Sequence, residues 1–307
     1  MRVLFMGTPE IAAKSLKALF DAGFSVVGAV TKPDQPRGRG HKLTPPEVKV
    51  TAEEHGIPVY QPEKIKNGEL MPVLEELKPD LCAVVAYGKI LPKAVLDFPK
   101  YGCVNLHASL LPKYRGAAPI QWAVLNGDKE TGITTMKMDE GMDTGDILLQ
   151  ETLTIGEYET SEELFDRMAK AGGELLVKTI EEIDRITPRK QPEGATHAPM
   201  ITKEMAKIDW NRPARDVSKW ICGMNSWPVA YSSYKGEILK IYRAEIGEET
   251  GSGTPGEILC HEAQKGLKVQ CKEGYLYLTE VQFPNSRRMH PDDYLRGHEI
   301  TFGTVLN

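Results

Sequence analysis

The sequence has few cysteines and no paired cysteine motif. Its five cysteines are an odd number and no Cys-x-x-Cys occurs, which argues against a disulfide framework or a thiolate zinc site. Cys82 and Cys103 lie inside apolar runs and are predicted to be core residues. This cysteine usage is typical of a reducing compartment, so we expect a cytoplasmic protein.

Long hydrophobic runs are also missing. The first apolar stretch, MRVLFM, is interrupted by Gly7 and Pro9, which makes it too short for the apolar core of a signal peptide. No other run approaches the roughly 20 apolar residues of a membrane-spanning helix. We therefore expect neither a signal peptide nor a membrane partner.

A positive net charge is absent as well, because the 307 residues carry a net charge of −5. Any nucleic-acid partner must therefore meet a local basic patch. Residues 31–50, the basic segment, hold five Lys or Arg against two Asp or Glu, together with four prolines. The composition predicts an irregular loop. It fits a solvated loop and a phosphate-contacting arm formed by Arg37, Arg39 and Lys42 about equally well.

The apolar runs of the first half predict an α/β domain. Four of them are expected to be buried strands and lie at 2–6, 25–30, 80–86 and 102–107. Helical patterns separate them, which is the order of a Rossmann-like, mostly parallel sheet. The turn after the first strand holds one glycine, Gly7, instead of Gly-x-Gly-x-x-Gly, so we infer no dinucleotide.

A different pattern begins at residue 208. Short apolar runs separated by glycine turns at even spacing predict a small antiparallel OB-like β-barrel. The preceding stretch lacks periodicity and contains three prolines, which favours an interdomain linker. The expected organisation is a Rossmann-like domain at 1–185, a linker at 186–207 and the barrel domain at 208–307.

The stretch CVNLHASLLPKYRGAAP is the most informative part of the chain. Asn105 and His107 are two residues apart on a predicted strand, so their side chains point the same way. They lie at the carboxyl end of the strand, where open α/β sheets bind ligands. A lone histidine at this place is more often structural, but here Pro112, Gly116 and Pro119 add a shaped loop.

A second loop, DEGMDTGD, carries four carboxylates within eight residues. A metal site needs several convergent oxygen ligands, and the chain offers no matched partner set, so we expect no metal. The alternatives are a solvated turn and a cation site. We favour the hypothesis that one carboxylate of this loop faces His107. An amide, an imidazole and a carboxylate suit acyl transfer to an amine: Asn105 and His107 stabilise charge on the carbonyl oxygen, and Asp143 helps to move a proton. No serine or cysteine is paired with a base, so we expect direct transfer without an acyl-enzyme.

These residues also carry a resemblance. The chain reads GCVNLHASLLPKYRGAAPIQWAVLNGD followed by TGITTMKMDEGMDTGDIL, which resembles the signature of the 10-formyltetrahydrofolate-dependent formyltransferases. The likeness extends nearly end to end to the methionyl-tRNA formyltransferase family. It is carried by VLFMGTPEIAAKSLKAL, TKPDQPRGRGHKLTPPEVK, PDLCAVVAYGKILPKAVLD, KIDW and NSWP.

The resemblance implies a formyl transfer from 10-formyltetrahydrofolate to the α-amino group of methionine esterified to initiator tRNA. It places the catalytic trio on Asn105, His107 and Asp143. The folate-contacting residues that it implies are Ser109, Leu110, Leu111, Pro112, Tyr87, Gly88, Ile90 and Leu91. It also implies that the basic segment folds over the acceptor end of the tRNA, with Arg39 the main contributor. We expect a monomer.

Three other functions remain open at this point. A formyltransferase for an amino sugar nucleotide could use the same two domains, although the basic segment argues against it. A hydrolase of 10-formyltetrahydrofolate could carry an identical trio. A non-catalytic RNA-binding protein could use the barrel, but this reading leaves the polar residues of the first domain unexplained.

Overall fold

The computed structural model describes residues 1–37, 42–247 and 253–307. Two compact units alternate along the chain. Unit 1 comprises Met1–Pro119, Thr131–Leu153 and Phe165–Ala198. Unit 2 comprises Ile120–Glu130, Thr154–Leu164 and Pro199–Asn307. The contiguous domain boundaries expected from the sequence stay a prediction.

Eleven strands precede residue 199 in the described part of the chain. They are Arg2–Gly7 (β1), Ser25–Val30 (β2), Gln35–Arg37 (β3), Lys42–Thr44 (β4), Val59–Tyr60 (β5), Leu81–Val85 (β6), Cys103–His107 (β7), Arg115–Gly116 (β8), Glu130–Lys137 (β9), Asp146–Thr154 (β10) and His197–Ala198 (β11). Seven form one sheet in the order β10-β9-β7-β6-β1-β2-β5. The pairs from β7 to β5 are parallel, and β9 runs antiparallel to β7. The predicted mostly parallel sheet is confirmed.

Eight α-helices occur among the described residues. They are Glu10–Asp21 (α1), Glu47–Glu54 (α2), Met71–Leu77 (α3), Lys93–Leu96 (α4), Pro119–Leu125 (α5), Ser161–Glu181 (α6), Ala214–Met224 (α7) and Pro291–Leu295 (α8). Short 3-10 helices lie at Ile65–Asn67 and Glu204–Ala206. In the part of the chain that the structure describes, no helix is both long and apolar enough to cross a membrane.

The centre of unit 1 explains why its strands read as continuous apolar runs. Every side chain of β6 is buried, and β1 is buried from its second residue onward. Leu4 of β1 and Val84 of β6 belong to the same apolar cluster as Leu74 of α3. Parallel strands covered on both faces need apolar residues throughout. β6 accordingly contains no charged side chain, and the only charged residue of β1 is the exposed Arg2 at its amino end.

The basic segment contains regular structure, so the irregular loop predicted from its prolines is wrong for the described residues. Strands β3 and β4 form a two-stranded antiparallel ribbon in which Pro36 lies opposite Leu43. Proline is tolerated there because a ribbon has edges on which no N–H group is needed. Beyond the ribbon, the Nζ atom of Lys49 lies 2.9 and 3.0 Å from the carboxylate oxygens of Asp34.

Unit 2 is built on a five-stranded sheet. Its strands are Tyr231–Tyr234 (β12), Glu237–Ile246 (β13), Ile258–Glu262 (β14), Gly266–Gln270 (β15) and Tyr275–Gln282 (β16). Their order is β12-β13-β16-β15-β14, and all the neighbouring pairs are antiparallel. The antiparallel second sheet is therefore confirmed. Its closure into an OB-like barrel stays a prediction.

Candidate active site

The carboxyl end of β7 places two polar side chains on one face of the sheet. Asn105 lies between Val84 of β6 and Met136 of β9, and His107 ends the strand. The His107 side chain is buried, with 7% of its surface exposed, whereas Asn105 is half-buried. Among the described residues, none forms a hydrogen bond with the Asn105 side chain. Its amide is therefore available to a ligand.

The orientation of the His107 ring is fixed by a backbone carbonyl. The Nε2 atom lies 2.9 Å from the carbonyl oxygen of Tyr114. A carbonyl can only accept, so Nε2 carries a proton and donates it. Tyr114 presents its carbonyl from a left-handed conformation with φ of 59°. The Nδ1 atom is thus the ring atom that remains to exchange a proton.

The carboxylate of Asp143 faces that second ring nitrogen. Its Oδ2 atom lies 3.8 Å from Nδ1 of His107 and accepts a hydrogen bond of 2.8 Å from the backbone N–H of Gly116. A separation of 3.8 Å is too long for a direct hydrogen bond. At this distance a carboxylate attracts a protonated imidazole without bonding to it directly.

Asp143 reaches this place because its loop has a defined shape. In residues 139–145, the acidic loop, Asp139 accepts hydrogen bonds from the N–H of Gly141 at 3.0 Å and from Oγ1 of Thr144 at 2.7 Å. Asp143 itself has a φ of 54°. Two acidic residues of this loop thus have different roles: Asp139 shapes the loop and Asp143 faces the histidine.

Gly145 closes the acidic loop against β9. A Cβ atom at this position would lie 1.9 Å from the carbonyl oxygen of Lys137, a distance at which the backbone has to move. Only glycine permits this close approach. The glycine therefore sets how deeply the acidic loop sits against the sheet.

The predicted folate segment 109–112 is held by side chains of the neighbouring strands. Thr134 of β9 donates from Oγ1 to the Ser109 carbonyl at 2.6 Å and accepts from the Leu111 N–H at 3.1 Å. Gln150 of β10 donates to the Leu111 carbonyl at 3.0 Å. Ser109 donates from its own Oγ to the Lys113 carbonyl at 2.6 Å. These bonds make the backbone of the segment a rigid wall beside His107.

The residues expected to contact folate differ in exposure. Ser109, Leu111, Tyr87 and Leu91 are buried, Leu110 and Pro112 are partly buried, and Gly88 and Ile90 are exposed. The Tyr87 hydroxyl is buried and has no hydrogen-bond partner among the described residues. Burial raises the pKa of this hydroxyl to about 12, because the phenolate would lose its hydration.

The three predicted tRNA contacts lie in or beside the ribbon of the basic segment. Arg37 ends β3 and Lys42 begins β4, and the two residues are paired across the ribbon. Arg39 lies outside the described residues. The contact of these three residues with a tRNA phosphate therefore stays a prediction.

Sequence reasoning missed the contribution of residues 186–198, the crossing segment, which was expected to be a linker. Arg189 exchanges backbone hydrogen bonds of 2.7 and 2.9 Å with Ile147 of β10. Thr196 accepts at Oγ1 from the N–H of Tyr114, the residue whose carbonyl orients His107, at 2.8 Å. Gln191 bonds to the backbone of the acidic loop. Its partners are 46 and 48 residues distant along the chain, so no local pattern could have revealed it.

The carboxylates of this region do not converge on one point. Within residues 1–37, 42–247 and 253–307, no group of three or more His, Cys, Asp or Glu side chains is arranged to hold a metal ion. The acidic loop contributes one carboxylate to the histidine and uses Asp139 for its own turn. The side chains that converge here can donate hydrogen bonds, carry charge and transfer a proton.

Comparison with known proteins gives matches over both units. The family model described as formyl transferase matches residues 1–180, and the one described as formyl transferase, C-terminal domain, matches residues 200–299. A methionyl-tRNA formyltransferase from Caldanaerobacter subterraneus subsp. tengcongensis is 49% identical over 100% of both chains. One from Citrifermentans bemidjiense is 47% identical over 100% of this chain and 96% of its own.

Solved structures with lower identity share the fold. A methionyl-tRNA formyltransferase from Clostridium thermocellum aligns with a TM-score of 0.56 and 20% identity over 80% of this chain and 94% of its own. An N-formyltransferase from Helicobacter canadensis, solved with folinic acid and dTDP-3-aminofucose, aligns with a TM-score of 0.65 and 20% identity over 91% of this chain and 97% of its own.

Proposed function

The chain belongs to the formyl transferase family, and we propose that it transfers a formyl group from 10-formyltetrahydrofolate to the α-amino group of methionine esterified to initiator tRNA. The family match covers both units, and the full-length relatives carry this activity in their names. The observation that carries the chemistry is the approach of the Asp143 carboxylate to the free Nδ1 of His107. The substrate supplies the formyl group, and the residues of unit 1 supply the charge and proton handling.

Asn105 and His107 are proposed to stabilise the charge that develops on the formyl oxygen when the amine attacks. The Asn105 amide has no partner in the described chain and can donate to this oxygen. His107 can donate from Nδ1 once it is protonated, because Nε2 is already bonded to the Tyr114 carbonyl. Donors fixed before the reaction need no reorganisation during it, which makes such stabilisation effective.

Asp143 is proposed to handle the proton of the attacking amine. The amine must lose a proton as the new C–N bond forms, and the departing folate nitrogen must gain one as its bond to the formyl carbon breaks. The Asp143 carboxylate, whose Oδ2 lies 3.8 Å from Nδ1 of His107, can accept this proton and return it to the folate nitrogen. The net reaction therefore needs no external acid or base.

The folate cosubstrate is proposed to lie along Ser109–Pro112 and Tyr87–Leu91. The first segment is rigid because Thr134 and Gln150 hold its backbone. The second offers the unpaired Tyr87 hydroxyl and the exposed backbone of Gly88, whose φ is 71°. An orphaned buried hydroxyl costs free energy unless a ligand or water satisfies it, so a polar heterocycle fits this place.

The basic segment is proposed to contact the acceptor end of the tRNA through Arg37, Arg39 and Lys42. The excess of positive charge in this segment contrasts with the net charge of −5 of the whole chain. Phosphate contacts release counterions, so the apparent affinity for tRNA should fall as salt rises. Replacement of Arg39 by Ala should weaken tRNA binding and leave folate binding unchanged.

An acceptor assay with the full chain tests the proposal. Purified protein and 10-formyltetrahydrofolate are mixed with methionyl initiator tRNA, methionyl elongator tRNA, a dTDP-amino sugar or no acceptor. We expect formyl transfer to the initiator tRNA and little elsewhere. Transfer to the sugar alone, or rapid formate release without any acceptor, would show a sugar formyltransferase or a hydrolase instead. His107→Ala protein controls for uncatalysed transfer.

The finer features of the protein are proposed on the same basis. We infer that the sheet of unit 2 belongs to an OB-like barrel, that the domains divide at 1–185, 186–207 and 208–307, and that the protein is a cytoplasmic monomer without a metal or a membrane partner. The odd cysteine count and the antiparallel strand order support the compartment and the barrel, respectively. Light scattering during size-exclusion chromatography tests the monomer.

A further inference from the structure

Gln191 of the crossing segment makes four hydrogen bonds with its side-chain amide. Its Nε2 donates to the backbone carbonyl of Asp143 at 2.8 Å and to that of Gly145 at 2.8 Å. Its Oε1 accepts from Nε and Nη2 of Arg115 at 3.2 and 2.6 Å. Both donors and both lone pairs of the amide are therefore used.

The guanidinium of Arg115 determines which way this amide points. A guanidinium can only donate, so it selects the oxygen of Gln191 and turns the NH₂ group toward the acidic loop. Arg115 is itself held by the crossing segment, because its backbone N–H donates to the Thr196 carbonyl at 2.8 Å. One amide thus joins β8 to the loop that carries Asp143.

The bonded carbonyls are that of Asp143, which has a left-handed backbone conformation, and that of Gly145, two residues further along the chain. The carboxylate of the same residue is held from the other side by the N–H of Gly116, at 2.8 Å. Asp143 is therefore bonded through its carbonyl to Gln191 and through its carboxylate to Gly116, the residue next to Arg115. With these contacts in place, Oδ2 of Asp143 lies 3.8 Å from Nδ1 of His107.

We propose that Gln191 is a positioning residue for the formyl transfer, acting through Asp143. The inference rests on the proposed function. Gln191 does not meet the substrate; it fixes the backbone of the acidic loop so that the carboxylate faces the imidazole. Loss of this constraint lets the carboxylate move by an ångström or more, and misplacement on this scale costs about 100-fold in rate.

Gln191→Glu tests the proposal most specifically, because it replaces only the NH₂ group of the side chain. Glutamate keeps the size of the side chain and its contact with Arg115, but it replaces the donating NH₂ with an oxygen that repels two carbonyls. We expect kcat for transfer to methionyl-tRNA to fall roughly 10- to 100-fold, while the KM for folate and the melting temperature change little. Glu193→Gln, an exposed charge change on the same segment, is the matched control and should leave kcat unchanged.

A double variant separates positioning from a general structural role. If Gln191 acts through Asp143, then Asp143→Asn/Gln191→Glu should be no slower than Asp143→Asn alone, within about threefold. Full multiplication of the two single effects would overturn the proposal. An unchanged kcat for Gln191→Glu would overturn it as well.

A spectroscopic readout distinguishes failure of this proposal from failure of the proposed function. The ring resonances of His107, identified by their loss in His107→Ala, should shift in Gln191→Glu in the same direction as in Asp143→Asn and stay in place in Glu193→Gln. This outcome supports positioning even if methionyl-tRNA is not the acceptor. Unmoved His107 resonances in Gln191→Glu would refute positioning even if wild-type protein formylates the tRNA.

Discussion

Arg288 in unit 2 and His107 in unit 1 are both held by hydrogen bonds, but their partners differ. Arg288 donates to both carboxylate oxygens of Glu280, at 2.6 and 2.7 Å. His107 donates to a backbone carbonyl and turns its other nitrogen toward Asp143 without a direct bond. In unit 2 the opposite charges satisfy each other. At this place in unit 1, backbone groups hold His107 and Asp143, and Nδ1 of His107 has no direct bond to the carboxylate.

This difference separates stabilising polar contacts from functional ones. A second pair in unit 2 is also bonded directly: His261 lies 2.6 Å from the carboxylate of Asp292. Exposed or half-exposed ion pairs of this kind contribute little to stability. Polar atoms that are oriented by the backbone but left without a mutual bond are prepared for a ligand. On this basis we expect the reaction at His107 and Asp143 of unit 1.

Replacement of His107 and of His261 should have different effects on kcat, and this is the largest difference that we expect between the two units. His107→Ala removes the proposed charge-stabilising donor and the partner of Asp143, so kcat should fall about 1,000-fold. His261→Ala is the matched control in unit 2 and should keep kcat while it loses its bond to Asp292. Steady-state transfer assays measure both. Similar losses in the two variants would contradict the separation of roles.

Gly145→Ala tests the close contact that seats the acidic loop. Its Cβ would meet the Lys137 carbonyl at 1.9 Å, so the free energy of unfolding should fall by about 2–3 kcal/mol. Gly297→Ala in unit 2 has no neighbour within 4 Å of its Cβ and should change stability by less than about 0.5 kcal/mol. Urea denaturation measures both, and equal changes would show that the contact is easily relieved.

Tyr87→Phe should change the alkaline stability. The pKa of the buried hydroxyl is raised from 10.0 to about 12, so its contribution is fully present below pH 10 and is lost as the pH rises toward 12. At pH 11 this loss is about 1 kcal/mol. The Tyr87→Phe variant should not show this loss at pH 11. At pH 8 its free energy of unfolding should stay within about 1 kcal/mol of wild type, because the hydroxyl has no hydrogen-bond partner among the described residues. Urea denaturation at pH 8 and pH 11 measures both proteins. An equal loss of stability in wild type and Tyr87→Phe between the two pH values would contradict the prediction.

Arg288→Ala should have the smallest effect. The pair with Glu280 is partly exposed, with 38% and 28% of the two side chains accessible, so its loss should cost roughly 0.5–1 kcal/mol. We expect kcat at saturating tRNA to be unchanged. A large fall in kcat would mean that ion pairs of unit 2 take part in the reaction.

The predictable part of the molecule is the part with local signals. Continuous apolar runs revealed β6 and β7, and glycine-rich acidic residues revealed the loop of Asp143. The shared direction of the Asn105 and His107 side chains followed from their spacing of two residues on a strand. Each of these inferences needs only residues that are close in sequence, or the general rule that strand ends carry the site.

The rest depends on contacts between distant residues. Gln191 meets its partners on Arg115 and the acidic loop only after the sheet has formed, and prolines around it are typical of a linker. The Tyr114 carbonyl that orients His107 is a backbone atom, so no side-chain pattern marks it. The ribbon around Pro36 was missed because proline usually ends a strand, and here it lies in a two-stranded pair.

Single-turnover formyl transfer by Asn105→Ala tests the central claim most directly. The variant protein is saturated with 10-formyltetrahydrofolate and mixed with methionyl-tRNA, and folate affinity is measured in parallel by fluorescence titration. The Asn105 amide has no partner in the described chain. If it donates to the reacting oxygen as proposed, the rate constant should fall about 100-fold or more, while folate affinity should stay near that of wild type. A normal rate constant combined with lost folate affinity would contradict the account.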